Sequence, residues 1–202
     1  MKIIGLCGGS GAGKSAASAA IYALGGEVID ADRVYRELCV PGSACLAEIE
    51  NAFGPTALTE SGALNRPAVA AIIYGDPEKR ALLNAITHKH IKAETERRLE
   101  EYREKGVSAV VVDAPLLFEA GFDKMCDVTV GIVADRAFRI ARIVARDGVD
   151  EATAERRIAS QMPDSLLSLM CDHIIENNGS AAQLYDKATQ LFANIIEWRL
   201  IC

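Results

Sequence analysis

The run Gly8-Gly9-Ser10-Gly11-Ala12-Gly13-Lys14-Ser15 fits GxxxxGK followed by Ser or Thr, and its residue types suit the wrapping of a triphosphate. Glycines let backbone N–H groups come close to phosphate oxygens in conformations that other residues avoid. Lys14 is expected to reach the β and γ phosphates and Ser15 to place its hydroxyl on Mg²⁺. Gly8, Gly11, Ala12, Gly13 and Ala16 complete the expected nucleotide cradle. The helix that must follow adds the positive end of its dipole.

Other groups could share in that chemistry. Asp32, in Asp30-Ala31-Asp32, is a candidate general base, and an N-cap is its plainer role. Asp113 ends a β-branched run and is expected as a second acid on the metal side; a polar strand end is the alternative. Arg139, Arg142 and Arg146, three and four residues apart, share a helix stripe. They form either a solvated face or a lid that closes on a transferring phosphoryl group. His88-Lys89-His90 is a phosphate-contacting cluster or a solvated face, and its i, i+2 imidazoles do not share a helix face for a metal. Leu116-Leu117-Phe118-Glu119 lines a pocket or packs as core.

These residues need a scaffold, and the hydrophobic pattern supplies one. Apolar runs at 2–7, 27–30, 108–113, 127–133 and 172–176 read as strands, with the first buried on both faces. Helical patterns separate them: 14–24, ended by Gly25-Gly26, then 33–38, a helix from Asp135 carrying the arginines, a second basic helix with Arg156 and Arg157, and a closing helix over 180–200. The pattern predicts βα repeated five times, a three-layer, doubly wound parallel sheet. Residues 41–105 are helical and longer than a crossover requires: 44–53, 64–74, and a long helix from Asp76-Pro77 expected to bend near His88. They read as an inserted subdomain that closes over a substrate, with a small lid at 146–166.

The composition narrows the choice of partner. With 22 basic against 28 acidic residues the net charge is −6, which argues against nucleic acid or an anionic membrane as the main partner. Six cysteines (Cys7, Cys39, Cys45, Cys126, Cys171 and Cys202) show neither a CxxC pair nor metal-ligand spacing with histidine, so a reducing cytoplasm is expected. The N-terminus is too short for a secretory leader before the glycines, and no 18-residue apolar run occurs.

Taken in order, GLCGGSGAGKS, VIDAD, LNR at 64–66, VVVDAPLLFEAGFD and DHIIENNGS resemble the dephospho-coenzyme A kinases, in the nucleoside-monophosphate-kinase-like group of phosphate-loop enzymes. The resemblance spans nearly the full length. It implies phosphorylation of the ribose 3′-hydroxyl of dephospho-CoA by MgATP in a monomer or small homo-oligomer. It implies Asp32 as general base, Lys14, Arg142 and Arg146 in catalysis, and Arg66, His88, Pro115, Leu116, Leu117 and Glu119 around the acceptor, with Ser15 and Asp113 on the metal. Three positions depart from that family's pattern. Lys89 follows His88 where the family usually has Pro, no basic residue follows Gln161 closely, and Cys7 stands where Thr is usual. Cys7 therefore introduces an oxidisable thiol beside the loop. A kinase for another acceptor would use the same fold. A nucleotide switch would use the same loop, but the chain has no NKxD-type base-recognition motif.

Overall fold

The computed structural model describes residues 1–197, so the end of the expected closing helix (198–200) and Cys202 lie outside the described residues. Five strands form one parallel sheet: β1 (Lys2–Cys7), β2 (Glu27–Asp30), β3 (Ala109–Asp113), β4 (Val128–Val133) and β5 (His173–Glu176), in the order β2-β3-β1-β4-β5. β1 is central, as its apolar run predicts. Leu6 stands level with Asp113 on one side, and Cys7 level with Gly131 on the other.

Two units make up the chain: Met1–Ile29 together with the chain from Glu101 onward, and Asp30–Glu100. In the first, α1 (Lys14–Ala19) runs into a 3₁₀ turn (Ala20–Leu24) that ends at Gly25 in the left-handed region, φ 70°. The expected single helix over 14–24 is therefore an α turn tightened at its C-terminal end. Alternate residues Ile4, Leu6, Val111, Val130 and Ile132 turn to one sheet face. There they meet Ala17 and Ile21, and Leu184, Ala188 and Phe192 of the closing helix α9 (Ala181–Glu197). On the other face Gly5 lets Leu117 and Cys126 pack close, and Gly131 does the same for Leu167 and Cys171. Three helices follow β4, which here are α6 (Arg136–Asp147), α7 (Glu151–Ala159) and α8 (Asp164–Met170).

The second unit has its own core. Helices α2 (Ala31–Leu38), α3 (Ala44–Phe53), α4 (Arg66–Ile73) and α5 (Pro77–Glu104) enclose Cys39, Cys45, Ile49, Ala57, Val69, Leu83 and Ile86. Local caps set the helix starts: Ser43 Oγ accepts from Leu46 N, Asn65 Oδ1 from Ala68 N, and Asp76 Oδ1 from Lys79 N. Pro67 sits in the first turn of α4, where its missing N–H costs nothing. The expected bend near His88 does not occur: α5 is one continuous helix of 28 residues. Lys89 has the amide hydrogen that a proline lacks, so nothing there breaks the helical hydrogen bonding. Glu37 and Glu94 share the Arg98 guanidinium, joining α2 to α5. No helix among the described residues is long and apolar enough to cross a membrane.

Phe192 is fully buried against the sheet. Phe192→Ala should cost about 3–5 kcal/mol of stability, read as a lowered midpoint in urea unfolding with an unchanged slope.

Candidate active site

The carbonyl groups of Gly9 to Gly13, in the loop between β1 and α1, are all engaged, three of them by side chains of other elements. Gly9 O accepts from Ala12 N at 3.0 Å, Ser10 O from Arg139 Nε at 2.9 Å and Gly11 O from Arg142 Nη1 at 3.2 Å. Ala12 O accepts from Asn177 Nδ2 at 2.6 Å, and Gly13 O from Ala16 N at 3.0 Å. With five successive carbonyls so engaged, and the Ser10, Ala12 and Ala16 amides donating to Gln161, Gly9 and Gly13, the amides of Gly11, Gly13, Lys14 and Ser15 are placed to hold an anion. Gly13 is required twice. Its φ is 106°, and a Cβ there would lie 2.5 Å from Asn177 Nδ2. Gly11, φ 76°, sits against the Arg139 backbone, whose carbonyl would be 2.5 Å from an added Cβ.

Charge converges on the same edge. The parallel register brings Asp113 level with the end of β1, and Lys14 Nζ stands 3.6 Å from Asp113 Oδ1. Both side chains are largely buried, so the carboxylate keeps the ammonium near the loop mouth in surroundings where charge is poorly screened. Ser15 is exposed at the helix start.

The arginine stripe divides. Arg139 is turned inward, its side chain 5% exposed, and its guanidinium serves three acceptors: Ser10 O, Asp164 Oδ1 at 2.8 Å and Gln161 Oε1 at 3.1 Å. Arg142 spans Gly11 O, Asn177 O and Gly179 O while lying over the Phe138 ring. Arg146 is exposed and paired with Asp147, which Arg157 also contacts, and these arginines hold the Asp147 carboxyl down at about 2. Arg136 pairs with Glu155. Arg139 and Arg142 thus meet the phosphate loop, and Arg146 faces the α6–α7 turn.

Gln161, noted in the sequence only as a landmark, is a contact of the loop itself. Its Oε1 accepts from Ser10 N at 2.8 Å and its Nε2 donates to Ser10 Oγ at 3.2 Å. Asn177 stands in the DHIIENNGS stretch without being singled out there. In sequence, these two differ from ordinary surface amides only in falling after the basic helix and after β5. Gln161 also lines a cavity of about 100 Å³ with Gly8, Gly9, Pro115, Leu116, Phe118, Glu119 and Met162. Leu117, expected beside them, is fully buried against Gly5.

In the Asp30–Glu100 unit, Asp30 caps α2 by accepting from Arg33 N at 3.0 Å, so Asp32, exposed in the first turn, is not the cap. Arg66 lies over the Tyr35 ring at 5.2 Å. Lys89 and His90 both reach Glu48, and together they hold its carboxyl below the usual range, while His88 is half-buried.

A family model described as dephospho-CoA kinase matches residues 2–183. A curated dephospho-CoA kinase of Corynebacterium efficiens is 42% identical over 193 residues, covering 96% of each chain. Among solved structures, TT1252 from Thermus thermophilus superposes with a TM-score of 0.81 at 27% identity, covering 96% of this chain and 97% of that one. A dephospho-CoA kinase from Campylobacter jejuni has the same fold, with a TM-score of 0.72 at 22% identity over 98% of this chain and 100% of its own.

Two substitutions separate the roles of the buried contacts. Arg139→Ala leaves Asp164 buried in part without its partner and should cost about 3–5 kcal/mol in urea unfolding; Arg139→Lys, a single point donor, should restore little. Gln161→Ala leaves the Ser10 amide and one Arg139 donor unanswered and should cost about 1–3 kcal/mol in urea unfolding, and it should weaken ATP binding roughly 2- to 10-fold by titration calorimetry.

Proposed function

The chain belongs to the dephospho-CoA kinase family, which phosphorylates the 3′-hydroxyl of dephospho-CoA with ATP in the last step of coenzyme A synthesis, and we propose the following division of labour among its residues. The observation that supports it most directly is the run of engaged carbonyls from Gly9 to Gly13, three of them held by Arg139, Arg142 and Asn177, with Lys14 and Asp113 beside it.

The amides of Gly11, Gly13, Lys14 and Ser15 bind the triphosphate, since Gly9 O and Gly13 O take the Ala12 and Ala16 amides, and Lys14 follows the charge that builds on the β and γ oxygens. Ser15 and Asp113 hold Mg²⁺. One hydroxyl and one carboxylate are hard oxygen donors, and so small a set suits an ion that keeps waters and takes its remaining ligands from phosphates. When bound, the ion neutralises phosphate charge.

Asp32 takes the proton from the 3′-oxygen as that oxygen bonds to the γ phosphorus and ADP leaves. Its exposed carboxylate, with the capping role filled by Asp30, supports this assignment. Pro115, Leu116 and Glu119 line the acceptor side, with Leu117 as packing beneath them. The helices of 41–105, with Arg66 and His88, bind the rest of the acceptor. Arg142 holds the loop in shape, and Arg146 acts from the lid at 146–166. Because the transition state is loose, positioning and charge neutralisation supply most of the rate. We place the enzyme in the cytoplasm, as a monomer or small homo-oligomer, and its described cysteines are free thiols.

The test is ADP release from MgATP with dephospho-CoA, beside a no-acceptor control and a panel of nucleosides. Stimulation by dephospho-CoA alone is expected, and equal stimulation by a nucleoside would overturn the acceptor assignment. Lys14→Ala should abolish useful turnover. Asp32→Asn should lower kcat roughly 10²- to 10⁴-fold at unchanged stability; a loss under tenfold would remove Asp32 from the role of base.

A further inference from the structure

Beside the loop lies a pair of thiols that the phosphoryl transfer does not use. Cys7 ends β1 one residue before Gly8, and Cys171 is the C-cap of α8, just before β5. Their sulfurs are 3.4 Å apart, although 164 residues separate them in sequence. Cys7 is 1% exposed, while Cys171 is half-buried and so open to a small oxidant. We propose that Cys7 and Cys171 are an oxidation site at which a hydroperoxide joins them in a disulfide that lowers the kinase activity.

The chemistry balances with peroxide as the oxidant. The Cys171 sulfur attacks one peroxide oxygen, the O–O bond breaks, and the leaving hydroxide takes a proton to become water. Cys171 is then a sulfenic acid. The Cys7 sulfur attacks it, the S–O bond breaks, and the hydroxyl leaves with the Cys7 proton as a second water. Two thiols have lost two electrons to one peroxide. The order follows from the surroundings: the Cys171 sulfur and burial hold the Cys7 thiol well above the usual range, while the contact with Cys7 lowers Cys171.

The sulfurs must close from 3.4 Å to the roughly 2.0 Å of a disulfide. Little around them can give way. A Cβ on Gly131, level with Cys7 in the sheet, would lie 3.0 Å from Cys171 Sγ, and one on Gly8 would lie 2.6 Å from Ile132 O. The shift therefore passes into the loop at Gly8 and into α8, whose Asp164 holds Arg139 and through it Ser10. A displacement of about 1 Å at such a site costs on the order of 10²-fold in rate.

The experiment treats the full chain with hydrogen peroxide, digests it with trypsin without reduction, and measures activity before and after added thiol reductant. Residues 3–14 and 158–187 form tryptic peptides with one cysteine each, so the cross-link is unambiguous by mass. The expected result is the joined 3–14/158–187 peptide, activity reduced roughly tenfold or more, and recovery on reduction. Cys171→Ser should keep the activity of the parent before treatment and most of it afterwards. Three results would overturn the proposal: no joined peptide in the oxidised parent, a joined peptide with activity unchanged, or Cys171→Ser inactivated as fast as the parent. Because the peptide mass is read without turnover, the cross-link stands or falls apart from the acceptor assignment.

Discussion

A guanidinium that is almost wholly buried has to have each of its donors answered, and the way Arg139 is answered organises this catalytic edge. One acceptor is a backbone carbonyl of the phosphate loop, one is the Asp164 carboxylate at the start of α8, and one is the Gln161 amide between α7 and α8. A single side chain from α6 therefore couples the loop to the start of α8 and to the segment between α7 and α8. The charge is answered where it lies, and in being answered it joins Arg142 and Asn177 in holding the carbonyls of the loop from outside. Stability and anion binding are linked at this residue.

Much of this was legible in the sequence where one local rule dominates. Glycines, lysine and serine at fixed spacing define the loop, and unbroken β-branched runs define the buried strands, because such segments answer to a single constraint. Where two rules compete, the sequence misleads. Asp30 and Asp32 both suit a helix cap, and only the backbone decides that Asp30 makes the bond. The arginine stripe reads as one surface by spacing alone. Yet Arg139 is interior and Arg146 is outside with Asp147, because one face of α6 meets the loop and the next turn meets α7.

Gln161 and Asn177 were the least legible. Neither has charge or periodicity to mark it, the DHIIENNGS motif does not single Asn177 out, and each side chain reaches a backbone group more than 150 residues away, Ser10 N or Ala12 O. Nothing in a linear pattern reports such a pairing. The long α5 shows the reverse case. A bend was expected at His88, and the identity of one neighbour, Lys89 with its amide hydrogen, was enough to keep the helix unbroken.

Gly9 is an unconstrained position of the GxxxxGK pattern, and its φ is not in the left-handed region. Even so, a Cβ there would stand 2.1 Å from Arg139 Nη2 and 3.0 Å from Gln161 Oε1. The absent side chain at residue 9 is thus dictated by an arginine 130 positions away rather than by backbone conformation. A side chain at residue 9 would have to displace the Arg139 guanidinium from Ser10 O and Gln161, so the two positions are coupled in space.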